Sequence, residues 1–223
     1  MKINFANFLS TVSICFMILT SGLLLSAQNP ELEKVVHEVI DKYQKAPALD
    51  LDFQFELTFP EQEPELFNGR FFRIGDQYLV DLDEYTLISD GKVQYTIQEK
   101  NKEVQITSLD DESMELSSPS GILKYLSDNE FKYFDKSELK QGGQPLRIIE
   151  MIPEDRTSDY FKIRFSFVEA EQKLKYIEIF ARDGTRVQLT VEKTDFAAKF
   201  SPQSITWDEE KYKNYYIEDL RID

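Results

Sequence analysis

The hydrophobic pattern changes period twice near the start of the chain. Residues 8–25 carry no charge and hold mostly apolar side chains, with a few Ser and Thr among them. From Leu32 the apolar positions recur every three or four residues, through Val35, Val36, Val39, Ile40 and Tyr43. That is one stripe of an amphipathic helix. Asn29 suits its N-cap and Pro30 its first turn, Glu31 and Glu33 suit the positive end of the dipole, and Ala46-Pro47 stops it. The period then falls to two. Leu51, Phe53, Phe55, Leu57 and Phe59 alternate with Asp52, Gln54, Glu56 and Thr58, which predicts a strand with one apolar face and one wet one.

Short strands follow at close spacing. Phe67 to Ile74 ends at Gly75-Asp76, Gln77 to Asp83 comes next, and Tyr85 to Ser89 meets a turn at Asp90-Gly91. Val93, Tyr95 and Ile97 alternate, then Val104 and Ile106. Further strands are expected over Leu146 to Ile152, Phe161 to Phe167, Leu174 to Ala181, Val187 to Val191, Ile205 to Trp207 and Tyr215 to Ile222. Hairpin-length connections make the sheet antiparallel. One helix interrupts the run, from Ser118-Pro119 through Ile122, Leu123, Tyr125 and Leu126 to Asp128-Asn129. The expectation is a mainly β (α+β) chain with one long curved antiparallel sheet of about eleven strands and a few short helices. So few helices cannot cover so many strands. Either the sheet curls until its own side chains fill the interior, or a concavity lined by Phe, Tyr, Leu and Ile remains for an apolar ligand.

The first segment is expected to lie outside the fold. Lys2, the apolar run and Ser26-Ala27-Gln28 have the three parts of a secretory signal peptide, with cleavage after Ala27 and one domain over 28–223. An uncleaved anchor is the rival reading. Cys15, the single cysteine, lies inside that segment and follows Ile14, not the small residue a lipidated cysteine needs. The mature domain thus has no thiol and must be held by its core.

Charge and composition remove several function classes. Acidic residues outnumber basic ones 41 to 26, giving a net charge of −15, so a basic nucleic-acid groove is excluded and membrane contact is expected to be transient. The acidic run Asp110-Asp111-Glu112 reads as a solvated loop. The single His, His37, reads as solvent-facing on the first helix and leaves no basis for a His-rich metal site or a Ser-His-Asp arrangement. Ser117-Ser118-Pro119-Ser120-Gly121 is a helix cap and not a nucleophile elbow, and no glycine-rich phosphate loop is present. No enzyme activity and no cofactor are expected. One residue breaks the strand pattern. Arg73 falls on the same face as Phe67 and Phe71, whereas Arg70 shares the other with Asn68. A guanidinium on the core side must have its donors bonded, or else snorkel out at the strand end.

The ordered set of these parts resembles the periplasmic lipoprotein carrier family of LolA. It comprises the N-terminal helix, the Phe-rich strand and the Gly69-Arg70-Phe71-Phe72-Arg73 strand. It continues with Leu87-Ile88-Ser89-Asp90-Gly91-Lys92 followed by Tyr95 and Val104, the Pro119…Leu123 helix, Arg182-Asp183-Gly184-Thr185, and the Ile217-Glu218-Asp219-Leu220-Arg221 ending. The resemblance implies an incomplete barrel closed by a helical lid over a cavity for acyl chains. Phe53, Phe55, Leu57, Phe71, Tyr95, Ile97 and Phe165 would line that cavity, with Val36, Ile40, Ile122, Leu123 and Leu126 facing it from the lid. In the family an arginine on the second strand hydrogen-bonds the lid, a role that falls by position to Arg73, with Arg70 as the alternative. The implied function is a monomeric periplasmic shuttle for acylated lipoproteins, loaded by an inner-membrane lipoprotein-releasing ABC transporter and emptied at an outer-membrane acceptor. A lipid-binding or stress-sensing envelope protein of the same fold, which hands no cargo on, is the alternative. An adhesion or structural domain with a filled core is a third reading.

Overall fold

The computed structural model describes residues 29–109, 119–137, 146–199, 201 and 205–221. The segment read as a signal peptide, with Cys15, lies outside them, as do the Asp110-Asp111-Glu112 run, Ser117-Ser118 and Ile222. The chain forms α1 (Pro30–Gln44), then β1 (Ala48–Thr58), β2 (Glu65–Ile74), β3 (Gln77–Leu82), β4 (Tyr85–Ser89), β5 (Val93–Gln98) and β6 (Glu103–Ser108). After α2 (Pro119–Asp128) come β7 (Phe131–Asp135), β8 (Leu146–Pro153), β9 (Tyr160–Val168), β10 (Lys173–Ala181) and β11 (Arg186–Asp195). It closes with α3 (Glu209–Tyr212) and β12 (Tyr216–Asp219).

The twelve strands of the described residues belong to one sheet, in the order β12-β6-β5-β4-β3-β2-β1-β11-β10-β9-β8-β7. Hairpins account for most neighbours, and β1 joins the two halves by pairing with β2 on one side and β11 on the other. The edge strands β12 and β7 do not meet, so the sheet stays open and is not closed into a barrel. Tight turns set the hairpins. Between β4 and β5 the Asp90 carboxylate accepts from the amides of Lys92 and Val93, both at 2.8 Å, and Gly91 takes φ 92°, where a side chain would be strained.

The main core lies on one face, here called inner. Leu49, Leu51 and Phe53 of β1, Phe71 of β2, Ile163, Phe165 and Phe167 of β9, and Leu189 and Val191 of β11 are buried there. The apolar stripe of α1 and Ile122, Leu123 and Leu126 of α2 pack onto the same cluster. Asn29 caps α1 with its side-chain oxygen, which accepts from the amides of Glu31 and Leu32.

A second, smaller cluster occupies the outer face at the other end of the sheet. Leu79, Ile88, Tyr95 and Ile106 lie opposite one another across β3, β4, β5 and β6, and Ile97 faces Val104. Trp207, Tyr212 and Tyr215 of the C-terminal segment cover them. The Trp207 ring is stacked between Tyr95 at 4.3 Å and Tyr212 at 4.9 Å.

Three features depart from the pattern-based expectation. β7 was not foreseen, since only Phe131 and Tyr133 turn inward and five residues carry too short an alternation. Ile205 to Trp207 forms no strand and instead enters the C-terminal covering segment. β12 pairs parallel with β6, because the chain crosses the outer face before joining the edge, so the sheet is antiparallel at every junction but this one.

Candidate functional site

The C-terminal end of α1 and the inner edge of β2 meet through one side chain. Arg73 lies opposite Leu49 of β1 and on the face of Phe71, as strand alternation requires. Its Nη2 donates to the carbonyls of Tyr43 at 2.6 Å and Ala46 at 3.1 Å, and its Nη1 to that of Gly75 at 3.1 Å. The end of a helix leaves carbonyls without intrahelical partners and carries partial negative charge, so a guanidinium is a suitable cap. The group is half-buried. Desolvation pushes its pKa below the ordinary guanidinium value, with the nearby Asp76 charge acting the other way.

α2 lies beside α1 and is tied at three points. Gln44 donates to the Ser127 hydroxyl at 3.2 Å, the Tyr125 hydroxyl lies 3.2 Å from that of Ser158, and the Tyr125 ring meets Phe131 and Tyr160 edge-on. Lys124 and Asp128 pair at 2.9 Å one turn apart on its exposed side, at the rim of a cavity. That cavity, of about 460 Å³, lies between the end of α1, α2 and β1–β3. Its volume is within the range of small-molecule sites. Leu49, Leu51, Phe71, Tyr78, Leu109 and Leu123 provide its apolar wall; Arg73, Gln44, Asp76, Lys124, Ser127 and Asp128 provide polar groups. Burial pushes the Tyr78 phenol up to about 12, and its hydroxyl donates to Gln94 at 2.7 Å.

The residues proposed from sequence are distributed over both faces of the sheet. Phe71 and Leu123 line the cavity. Phe53 is packed deeper, its ring over Gly69 on β2, and Phe165 lies against Phe167 with centroids 5.7 Å apart. Phe55 and Leu57 continue the same row of β1, partly buried against the core but away from the cavity. Val36, Ile40, Ile122 and Leu126 are at zero exposure and fill the inner face with their own side chains. Tyr95 and Ile97 do not belong to the inner face. They lie on the outer one under Trp207 and Tyr212, because alternation tells which residues share a side but not which side the helices cover.

Arg70 is also on the outer face, where Nε and Nη2 donate to the two Asp50 oxygens at 3.1 and 2.8 Å and the guanidinium sits over the Phe72 ring. His37 is half-buried, not solvent-facing, with Nε2 3.5 Å from the Tyr133 hydroxyl. Sequence reasoning missed Leu49, Tyr43 and Tyr78 as cavity residues. Leu49 was legible as the next inward position of the β1 row; the two tyrosines are brought in from other elements by the fold.

Among the described residues no group of three or more His, Cys, Asp or Glu is arranged to hold a metal, and no helix is long and apolar enough to cross a membrane. No protein-family model matches the chain, and no curated protein matches it. Solved structures do. An uncharacterized conserved protein from Thermus thermophilus is 7% identical with a TM-score of 0.53, over 85% of this chain and 99% of that one. A LolA superfamily protein from Nitrosomonas europaea is 10% identical with a TM-score of 0.43, over 79% and 98%. The MucA/MucB complex structure from Pseudomonas aeruginosa is 11% identical with a TM-score of 0.40, over 81% of this chain and 62% of that one. The chain shares its fold with the Thermus thermophilus protein, and its structural neighbours include a LolA superfamily protein.

Proposed function

We propose that this protein is a periplasmic carrier that shelters acyl chains of lipoproteins beneath α1 and α2 and passes them from the inner to the outer membrane. The observation that carries this reading is the seating of two helices on the inner face of an unclosed sheet, with a cavity at their junction and a polar fastening at its edge. α1 and α2 rest on the sheet by side-chain burial, so they can lift without breaking a strand ladder.

Energetics favour such a job. Burying a sixteen-carbon chain is worth about 12 kcal/mol at about 0.8 kcal/mol per CH₂, enough to hold it in water. In the closed state Val36, Ile40, Ile122 and Leu126 occupy the inner face, so loading exchanges one apolar filling for another. That exchange keeps the net affinity moderate and lets cargo leave for a better acceptor. An inner-membrane ABC transporter as donor and an outer-membrane acceptor belong to the same reading.

Mass spectrometry of the protein purified from the periplasm is the direct test: retained acylated peptides are expected, and a protein free of them under mild extraction rejects the carrier. Arg73→Leu replaces hydrogen bonds to α1 by apolar packing beside Leu49 and Phe71. The variant is expected to load and to release cargo severalfold more slowly; release at the normal rate rules out Arg73 as the latch. The complete burial of the lid side chains favours a second reading, a binding or sensing module that hands nothing on. Transfer of a labelled lipoprotein between donor and acceptor membranes separates the two.

A further inference from the structure

The cavity has an apolar wall and, set into it, a guanidinium satisfied by backbone carbonyls alone. Among the described residues no carboxylate forms an ion pair with Arg73, whereas Lys124, the other cation at the cavity, is paired with Asp128 on the exposed rim. Asp76 also reaches the rim but is solvent-exposed. Arginine offers five N–H donors; both on Nη2 go to Tyr43 and Ala46 and one on Nη1 to Gly75, so a bidentate acceptor must displace at least one of these carbonyls. A full negative charge is a stronger partner for a half-buried guanidinium than a neutral carbonyl.

We infer that the cavity selects a single acyl chain bearing an anionic headgroup, with Arg73 binding that headgroup in exchange for the Tyr43 and Ala46 carbonyls. The chain lies along Leu49, Leu51, Phe71 and Leu123, and the headgroup reaches the guanidinium from the cavity side. Binding then loosens the end of α1, because the group that capped Tyr43 and Ala46 is engaged elsewhere. This rests on the reading of the cavity as an acyl-chain site, and not on lipoprotein as its cargo, since the acyl groups of a lipoprotein carry no ionised headgroup. The headgroup can be a carboxylate or a phosphate, since both take guanidinium in the same bidentate way.

The test is calorimetric titration of the protein, stripped of retained lipid, with three ligands of equal chain length kept below their micelle concentrations. These are palmitate, palmitoyl-lysophosphatidate and palmitoyl-lysophosphatidylcholine. Palmitate and the lysophosphatidate are expected to bind at least tenfold tighter than the choline lipid, and the tighter of the two identifies the headgroup. Arg73→Gln is expected to bring the three affinities to within about twofold of one another, whatever their common value, and Arg73→Lys to retain part of the preference. A far-ultraviolet circular dichroism spectrum matching that of the unaltered protein shows that the Gln variant is folded. Equal affinity for all three ligands in the unaltered protein, or a preference that survives Arg73→Gln, overturns the inference and leaves the acyl site standing. Failure of all three to bind overturns both.

Discussion

Gly69 is a site of close approach on the inner face. A Cβ placed there would lie 2.3 Å from Cζ of Phe53 and 2.8 Å from Cδ2 of Leu82. The Phe53 ring is buried and has little room to turn. Gly69→Ala is therefore expected to cost about 1–3 kcal/mol, the usual penalty for overpacking a closed core. Chemical denaturation measures it, and an unchanged midpoint would mean the ring has space the packing does not reveal. The glycine was visible in the strand pattern; its reason was not, because Phe53 reaches it only through the register of β1 with β2. Arg73 is the parallel case. Strand alternation put it on the Phe71 side, but nothing local indicates carbonyls 27 and 30 positions earlier as its partners.

Elements differ in how much of them is local. α1 has its cap, its proline and its stripe within fifteen residues, so it was readable in full. Asn29→Ala removes the acceptor of the Glu31 and Leu32 amides and is expected to cost about 1 kcal/mol, seen as faster hydrogen exchange in the first turn of α1. The C-terminal segment is the opposite case. Its aromatic residues looked like strand positions, yet Trp207 is used as a cover and β12 as a parallel edge. Trp207 is the chain's single tryptophan, so its fluorescence reports that cover alone. Val104→Asp puts a charge beneath Trp207 and Tyr212, where none can be accommodated dry. The emission should shift to the red and lose its contact quenching while the inner core persists; an unaltered spectrum would refute the assignment of this cluster.

For the molecule as a whole, alkaline pH acts on the inner core through two buried phenols. Burial pushes the phenols of Tyr78 and Tyr133 up to about 12. In the unfolded chain tyrosine titrates at about 10. The folded state thus holds these protons more tightly, and their share of stability is intact below about pH 10 and falls away between about 10 and 12. Thermal midpoints are expected to decline over that window, less steeply in Tyr78→Phe, which has one fewer phenol to ionise. A decline of equal slope in the variant would remove Tyr78 from the account. With a net charge of −15, self-repulsion adds to alkaline loss, and added salt separates that part because it screens exposed charges far better than buried phenols.

Periods of 3.6 and 2 along the chain were enough to determine a helix, a long run of hairpins, an α+β class and the side of β2 on which Arg73 stands, since each depends on neighbours a few residues apart. Whether the apolar rows enclosed a space or filled one was left open by pattern alone. The fold decided it in two ways at once: α1 and α2 fill most of the inner face, and a cavity of about 460 Å³ survives where their ends meet β1–β3. It also turned Tyr95 and Ile97 to the outer face and covered them with a segment more than a hundred residues away. Alternation repeats identically on either side of a sheet, so the choice of buried side belongs to whatever distant part of the chain arrives to cover it.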